Sequence, residues 1–218
     1  MPVLAYIVTA LAAYLLGSIP TGFLVAKAKG IDIRSVGSGN IGATNAMRVL
    51  GKPAGIFVLL VDAAKGFIAC VLGVFIAAYF ASGYYDMKTN ANVAPQIALI
   101  AGIFAVLGHN YTCWLKFKGG KGIATTAGVY LALAPIALGI ALAVFILAIL
   151  LTRYVSVGSI AAAIALPTAV WILQPHNLFL GIVTTALGAL AIYKHKSNIQ
   201  RLMAGTESRL GKKPEDAK

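Results

Sequence analysis

Long apolar runs separated by short cationic loops give this chain its pattern. The runs lie at about 3–26, 54–81, 94–108, 123–134, 136–152, 156–173 and 177–193. A helical membrane span needs roughly 20 apolar residues, so most of the runs predict spanning helices, while 94–108 and 123–134 fall short. The stretch 123–152 admits two readings: one long bent helix, or two spans meeting at Ala134–Pro135. Neither an internal repeat nor a heptad pattern is visible.

Charge chooses between the two readings. With seven spans, one face of the bilayer receives Lys27, Lys29, Arg34, Arg48 and Lys52, then Lys116, Lys118 and Lys121, then Arg153, then the basic C-terminal segment from Lys194 onward. Of the 18 Lys and Arg, only Lys88, on the other face, and Lys65, inside a span, are left out. Six spans would send Arg153 and the basic tail to the opposite face. The positive-inside rule therefore favours seven transmembrane helices, with the N-terminus outside and the C-terminus cytoplasmic. The expected fold is all-α, a polytopic membrane helical bundle. Residues 1–210 are expected to form a single transmembrane domain and 211–218 a polar tail. The first run has no basic residue before it and exceeds a signal core, so it reads as a retained span. The loop Ser82–Val93 and His176 fall on the outer side. The twelve residues 123–134 reach only about 18 Å as a helix, so the loop before them has to dip into the membrane.

Composition sharpens this picture. Of 218 residues, 60% are hydrophobic and 11% charged, with a mean hydropathy of +0.87, whereas soluble domains are about a quarter charged. The net charge of +12 does not imply nucleic acid, because most of the cations flank apolar runs. Cys70 and Cys113 have no metal-ligand spacing and suggest no disulfide framework.

Two loops carry candidate chemistry. In Gly37-Ser38-Gly39-Asn40-Ile41-Gly42-Ala43-Thr44-Asn45, the glycines let the backbone approach an anion and aim N–H groups at it. Ser38, Thr44 and Asn45 add neutral donors, and Arg48 adds a planar fork suited to two phosphate oxygens. The plainer alternative is a glycine-rich turn between spans. The second loop, Phe117-Lys118-Gly119-Gly120-Lys121-Gly122, opens a helix, and helix N-termini attract anions. Lys116 and Lys118 can be mere topology markers. Lys121 lies close to the membrane plane, where an ionisable group is by default functional. His109 stands open between a structural and a functional role. His195 and Asn198 are expected one turn apart on one helix face, where they suit a substrate hydroxyl or phosphate; a histidine merely placed at a helix C-terminus is the alternative. Asp62 and Lys65 read as a self-neutralising pair within a span. Acids are too few on the cationic face for a magnesium site, so no metal and no cofactor are expected. A transporter of a phosphorylated metabolite fits the same loops, though it lacks the repeat symmetry common in transporters.

In order and spacing these motifs resemble the bacterial acyl-phosphate:glycerol-3-phosphate acyltransferase family. The resemblance rests on the Gly37–Asn45 motif with Arg48, on Gly108-His109 followed by Phe117 to Thr125, and on Tyr193 to Asn198 followed by Gly205-Thr206-Glu207, with Arg153-Tyr154-Val155-Ser156 between. It covers about residues 4–210. It implies a seven-helix bundle of the cytoplasmic (inner) membrane with its site at the cytoplasmic surface, in contact with membrane lipid. It also implies a fatty acyl phosphate donor, sn-glycerol 3-phosphate as acceptor, and the products 1-acyl-sn-glycerol 3-phosphate and phosphate. Ser38, Arg48, Lys121 and His195 are the expected catalytic residues. Gly37, Gly39, Asn40, Gly42, Thr44, Asn45, Lys118, Gly119, Gly120 and Asn198 are expected to bind substrate, with His109 and Glu207 as further candidates. Another acyltransferase family places an aspartate four residues after its histidine; here that position is Cys113, so that mechanism is excluded at His109. An acyl-enzyme through Cys113 or Ser156 stays open, without a paired base in the sequence.

Overall fold

The computed structural model describes residues 3–81 and 87–211. The described residues form ten α-helices and one 3-10 turn, with no strand among them. The expected 211–218 tail beyond Gly211, and most of the start of the expected 82–93 loop, lie outside the described residues; Met87 to Val93 are already helical. Among the described residues, five helical segments are long and apolar enough to cross a membrane, or six if a pair bent by 52° counts as one span. The chain divides into two compact units, Met1–Leu133 and Ala134–Lys218.

In the first unit, α1 (Val3–Ser18) and α2 (Thr21–Lys27) together make the apolar span expected over 3–26, with an interruption between them. The interruption has a plain cause. Pro20 has no N–H to donate and disfavours helical backbone at Ile19, so the helix stops and restarts. Next come α3 (Ala43–Leu50), α4 (Lys52–Ala81) and α5 (Met87–Asn110), the last beginning two turns before the apolar run. A 3-10 turn (Cys113–Leu115) leads to α6 (Ile123–Leu133). At roughly 17 Å by helical rise, α6 is shorter than the bilayer core.

In the second unit, α7 (Pro135–Thr152) starts afresh after Ala134, with Pro135 in the first turn, where its missing N–H costs nothing. The break at Ala134–Pro135 is thus real. Then follow α8 (Val155–Leu173), α9 (Leu178–Lys194) and α10 (Lys196–Met203). Within α9, Gly181 lies against the indole of Trp171, whose Nε1–H donates to Thr185 Oγ1 at 3.1 Å.

Packing is inverted relative to a soluble bundle. On α1 the buried stripe is Ala5, Thr9, Ala13 and Gly17, while Leu4, Ile7, Leu11 and Leu15 face outward. Helices in lipid gain nothing by hiding leucine from leucine-like tails; small residues let their backbones meet instead. The α4–α6 crossing shows this reciprocally. A Cβ on Gly66 would strike Thr125 O, and one on Gly128 would strike Ala63 O. Gly17 and Gly108 bring α1 and α5 together in the same way, against Ala105 O and Tyr14 O.

Gly128→Leu is therefore expected to lower the thermal midpoint in detergent, with an overpacking cost of about 1–3 kcal/mol or more. Gly139, which has no atom near its Cβ position, supplies the control: Gly139→Leu should leave the midpoint unchanged.

Candidate active site

The first loop is held by two asparagines. Asn45, buried in the first turn of α3, accepts from the Ser38 N–H at 2.8 Å through Oδ1. Its Nδ2 donates to Ile33 O, Val36 O and Asn40 O at 3.2, 3.1 and 2.9 Å. Asn40 Oδ1 accepts from the Gly42 N–H at 2.8 Å. Both carboxamides thus work inside the loop, and the N–H groups of Ser38 and Gly42 serve its shape. Gly37 has φ +61, and a Cβ there would collide with Asn45 Oδ1. The loop leaves the Ser38 and Thr44 side chains exposed, with Gly39 beside them, and α3 places Arg48 half-buried one turn beyond Thr44. Nearby, Arg34 donates from Nε and Nη2 to Asp32 at 2.9 and 2.7 Å. These bonds, with one from the Arg34 N–H, hold the exposed Asp32 carboxyl down at about 2, so Asp32 and Arg34 neutralise each other.

The second loop closes the end of α5. Gly119 N–H donates to Asn110 O at 3.2 Å and Gly120 N–H to His109 O at 2.9 Å, satisfying carbonyls that a helix end otherwise orphans. A Cβ on Gly120 would overlap His109 Nε2, so only glycine lets the loop lie on that ring. Just before, Lys116 and Phe117 adopt left-handed backbone (φ 53 and 60), which is unfavourable for side-chain-bearing residues. The Phe117 N–H to Thr112 O bond at 2.9 Å and the Lys118 N–H to Leu115 O bond at 3.1 Å hold that turn. Lys118 ends exposed and Lys121 half-buried.

Beneath this loop lies an ionic cluster. Lys65 Nζ is 2.9 Å from Asp62 Oδ1, 3.0 Å from Ile19 O and 2.9 Å from His109 Nδ1. Thr21 Oγ1 donates to Asp62 Oδ1 at 3.1 Å. All four side chains are buried. Ile19 can offer its carbonyl because Pro20 interrupts the helix. Asp62 and Lys65 do pair, as their spacing suggested, but His109 and Thr21 join them. Those partners come from other helices, and sequence spacing gave no sign of them.

In the second unit the helix breaks at His195, which ends α9 and precedes α10. His195 and Asn198 are therefore not on one continuous helix face, and that expectation is corrected. His195 is buried and its Nδ1 lies 2.7 Å from Ala191 O. A carbonyl only accepts, so Nδ1 carries a proton. Asn198 Nδ2 donates to Glu207 Oε1 at 2.7 Å, Ser156 Oγ donates to the same oxygen at 2.9 Å, and Arg201 Nε donates to Oε2 at 2.6 Å. Burial pushes the Glu207 carboxyl up, yet the hydrogen bonds from Asn198, Arg201 and Ser156, with the Arg201 charge, outweigh it and leave the pKa lowered. Ser156 thus directs its hydroxyl proton to a carboxylate. Ser156 and Arg201 were not expected as partners of Glu207; the Gly205-Thr206-Glu207 motif marked the acid but not its partners. Arg209 completes the segment by donating to Tyr154 Oη at 3.1 Å.

A family model described as glycerol-3-phosphate acyltransferase matches residues 7–205. The glycerol-3-phosphate acyltransferase of Geotalea daltonii is 45% identical over 203 residues, covering 93% of this chain and 96% of that protein. That of Chlorobaculum parvum is 47% identical, covering 91% and 93%. The crystal structure of PlsY, an integral membrane glycerol 3-phosphate acyltransferase in its glycerol 3-phosphate form, matches with a TM-score of 0.83 and 37% identity, covering 94% of this chain and 96% of that one. Its lysophosphatidic acid form matches at 0.80 and 36%, covering 94% and 95%. Helices that meet through glycine, two pinned glycine loops and a match along nearly the whole length agree: the chain belongs to the glycerol-3-phosphate acyltransferase family and is a membrane acyltransferase.

Proposed function

We propose that the chain transfers a fatty acyl group from an acyl phosphate to sn-glycerol 3-phosphate, releasing inorganic phosphate and forming 1-acyl-sn-glycerol 3-phosphate. The observation that carries this proposal is the pair of glycine loops, each shaped by neutral hydrogen bonds and each bearing a half-buried cation, Arg48 or Lys121. Both reactants are phosphorylated, so two anion-binding loops are what the reaction requires. An acyl phosphate is already activated, since phosphate leaves readily, and the protein has mainly to position the reactants and stabilise charge.

In this proposal Ser38 and the Gly37–Thr44 backbone surround the donor phosphate, and Arg48 and Lys121 balance phosphate charge. Lys118, Gly119 and Gly120 line the second phosphate loop. Asn40 and Asn45 act by shaping the first loop, as their internal bonds suggest. His195 and Asn198 hold glycerol 3-phosphate, Asn198 being oriented by Glu207. The acceptor hydroxyl oxygen bonds to the acyl carbon, the bond from that carbon to the phosphate oxygen breaks, and the hydroxyl proton passes to a phosphate oxygen of the substrate. Residues 1–210 are proposed to act as one acyltransferase domain with seven spans, the N-terminus outside and the C-terminus cytoplasmic. The distribution of Lys and Arg supports that topology and a site on the cytoplasmic side of the inner membrane.

Purified protein given acyl phosphate and glycerol 3-phosphate should release phosphate and form a monoacyl lipid; uptake of glycerol 3-phosphate into vesicles without product would refute the proposal. Arg48→Ala and Lys121→Ala should each lose at least about 100-fold in kcat/KM while still inserting into membranes, and wild-type turnover in either would remove that residue from the site. His195→Ala should raise KM for glycerol 3-phosphate, read from initial rates at saturating donor; an unaltered acceptor KM would reject its placement. The Glu207 clamp has a definite sign. Its folded pKa is depressed below the ordinary 4.5, so its stabilisation is fully present above that value and is lost as pH falls through the lower folded value. Thermal midpoints across this acidic window should show a step in the wild type that Glu207→Gln lacks.

A further inference from the structure

Asp62, Lys65 and His109 carry no role in the reaction proposed above, yet they place charge inside an apolar bundle directly under a substrate loop. We infer that Lys65 and His109 are positioning residues for the second glycine loop: Lys65 fixes the His109 ring as the neutral form protonated on Nε2, and that edge of the ring supports Gly120 and so sets Lys121.

A lysine ammonium has three N–H donors and no acceptor. Lys65 directs them to Asp62 Oδ1, Ile19 O and His109 Nδ1, at 2.9, 3.0 and 2.9 Å. Nδ1 also lies 3.7 Å from Asp62 Oδ1, too far for a hydrogen bond, and a proton on Nδ1 would point at the nearer ammonium, so Nδ1 accepts. The neutral imidazole has one N–H, which is then on Nε2. With Lys65 as the ammonium an imidazolium would set two donors face to face across that contact, and a ring with Nδ1 engaged and Nε2 protonated has no lone pair to serve as a base. His109 therefore acts through the loop. Its Nε2, Cε1 and Cδ2 atoms are those that a Cβ on Gly120 would meet, while its own carbonyl takes the Gly120 N–H at 2.9 Å. Ring and backbone of one residue thus grip one glycine from two sides, and Lys121 is the next residue. The ring cannot swing without leaving Lys65 short of an acceptor, nor can Lys65 withdraw without stranding the buried Asp62 carboxylate. Thr21 braces that carboxylate from α2. The position of the loop is in this way referred to the break at Ile19–Pro20 and to the middle of α4.

The inference rests on the proposed role of Lys121 in phosphate binding, and two measurements separate the two. Wild-type protein carrying ¹⁵N-imidazole label should show a neutral, Nε2-protonated signal for His109, assigned by elimination with His176→Gln and His195→Gln. A protonated ring or an Nδ1–H tautomer would overturn the inference, whatever the kinetics. His109→Asn keeps an acceptor near Nδ1 for Lys65 but removes the far edge of the ring. It should raise KM for a phosphorylated substrate about 10- to 100-fold through misplacement of the loop, with a near-normal thermal midpoint. His109→Gln, which returns a donor near the Nε2 position, should recover part of that loss. Unchanged KM values in folded His109→Asn, or loss of folded protein with normal KM in the fraction that remains, would reduce His109 to a packing residue and overturn the inference. If Lys121→Ala is active, the phosphate role itself fails; if Lys121→Ala is inactive while His109→Asn has normal KM values, only the positioning role fails.

Discussion

An ammonium group inside an apolar helical bundle needs an acceptor for every N–H and a counter-charge close by. Lys65 finds its counter-charge one helical turn away in Asp62, but its remaining acceptors come from elsewhere: the carbonyl that Pro20 releases at Ile19, and the ring of His109 on α5. Three chain segments distant in sequence must come together to satisfy one side chain. The arrangement of the first unit follows from that demand, because small residues on α1, α4, α5 and α6 allow the required closeness and larger ones do not. Polar satisfaction sets where the helices meet, and glycine sets how near.

The two glycine loops use the same device with different materials. Each is pinned by a buried polar side chain that reaches under it, Asn45 for the first and His109 for the second. In each, a Cβ at the glycine over that side chain would collide with it. The glycines therefore serve close approach to the protein's own interior as much as approach to an anion. The second unit uses another device. There a single carboxylate, Glu207, gathers Ser156, Asn198 and Arg201 around the bend at His195, and holds together segments that the helix break would otherwise leave without a register.

Much of this was legible in the residues, and the gaps have physical causes. The apolar runs located the helices because lipid demands continuous hydrophobicity, and Ala134–Pro135 marked a true break. The break at Ile19–Pro20 was hidden by that same continuity, although Pro20 was there to read. The bend at His195 left no apolar signature, since the segment becomes polar there in any case. The glycine motifs located the loops. What they did not reveal is the direction of each side chain: an asparagine that binds a ligand and one that shapes its own loop have the same spacing, and only the inward contacts of Asn45 and Asn40 separate them. Likewise the Asp62–Lys65 spacing gave the ion pair but not the third partner, because His109 is 44 residues beyond Lys65.

Charge accounting joins the fold to the chemistry. Among the described residues Asp32 is matched by Arg34, Asp62 by Lys65 and Glu207 by Arg201. Each of these three carboxylates thus has its own cation, and these pairs shape the protein. The whole chain has 18 Lys and Arg against 6 Asp and Glu, so pairing cannot exhaust its positive charge. Part of the surplus stands on loops beside the membrane, where neighbouring lipid keeps the dielectric low and screening by salt is weaker than in bulk water. A phosphate arriving there meets a field that the chain does not neutralise internally. A buried cation must bring its own anion, as Lys65 does; a half-buried one at the surface, such as Lys121, does not bear that full desolvation cost. In the proposed reaction, that difference in depth separates the lysine that builds the fold from the one that meets a phosphate.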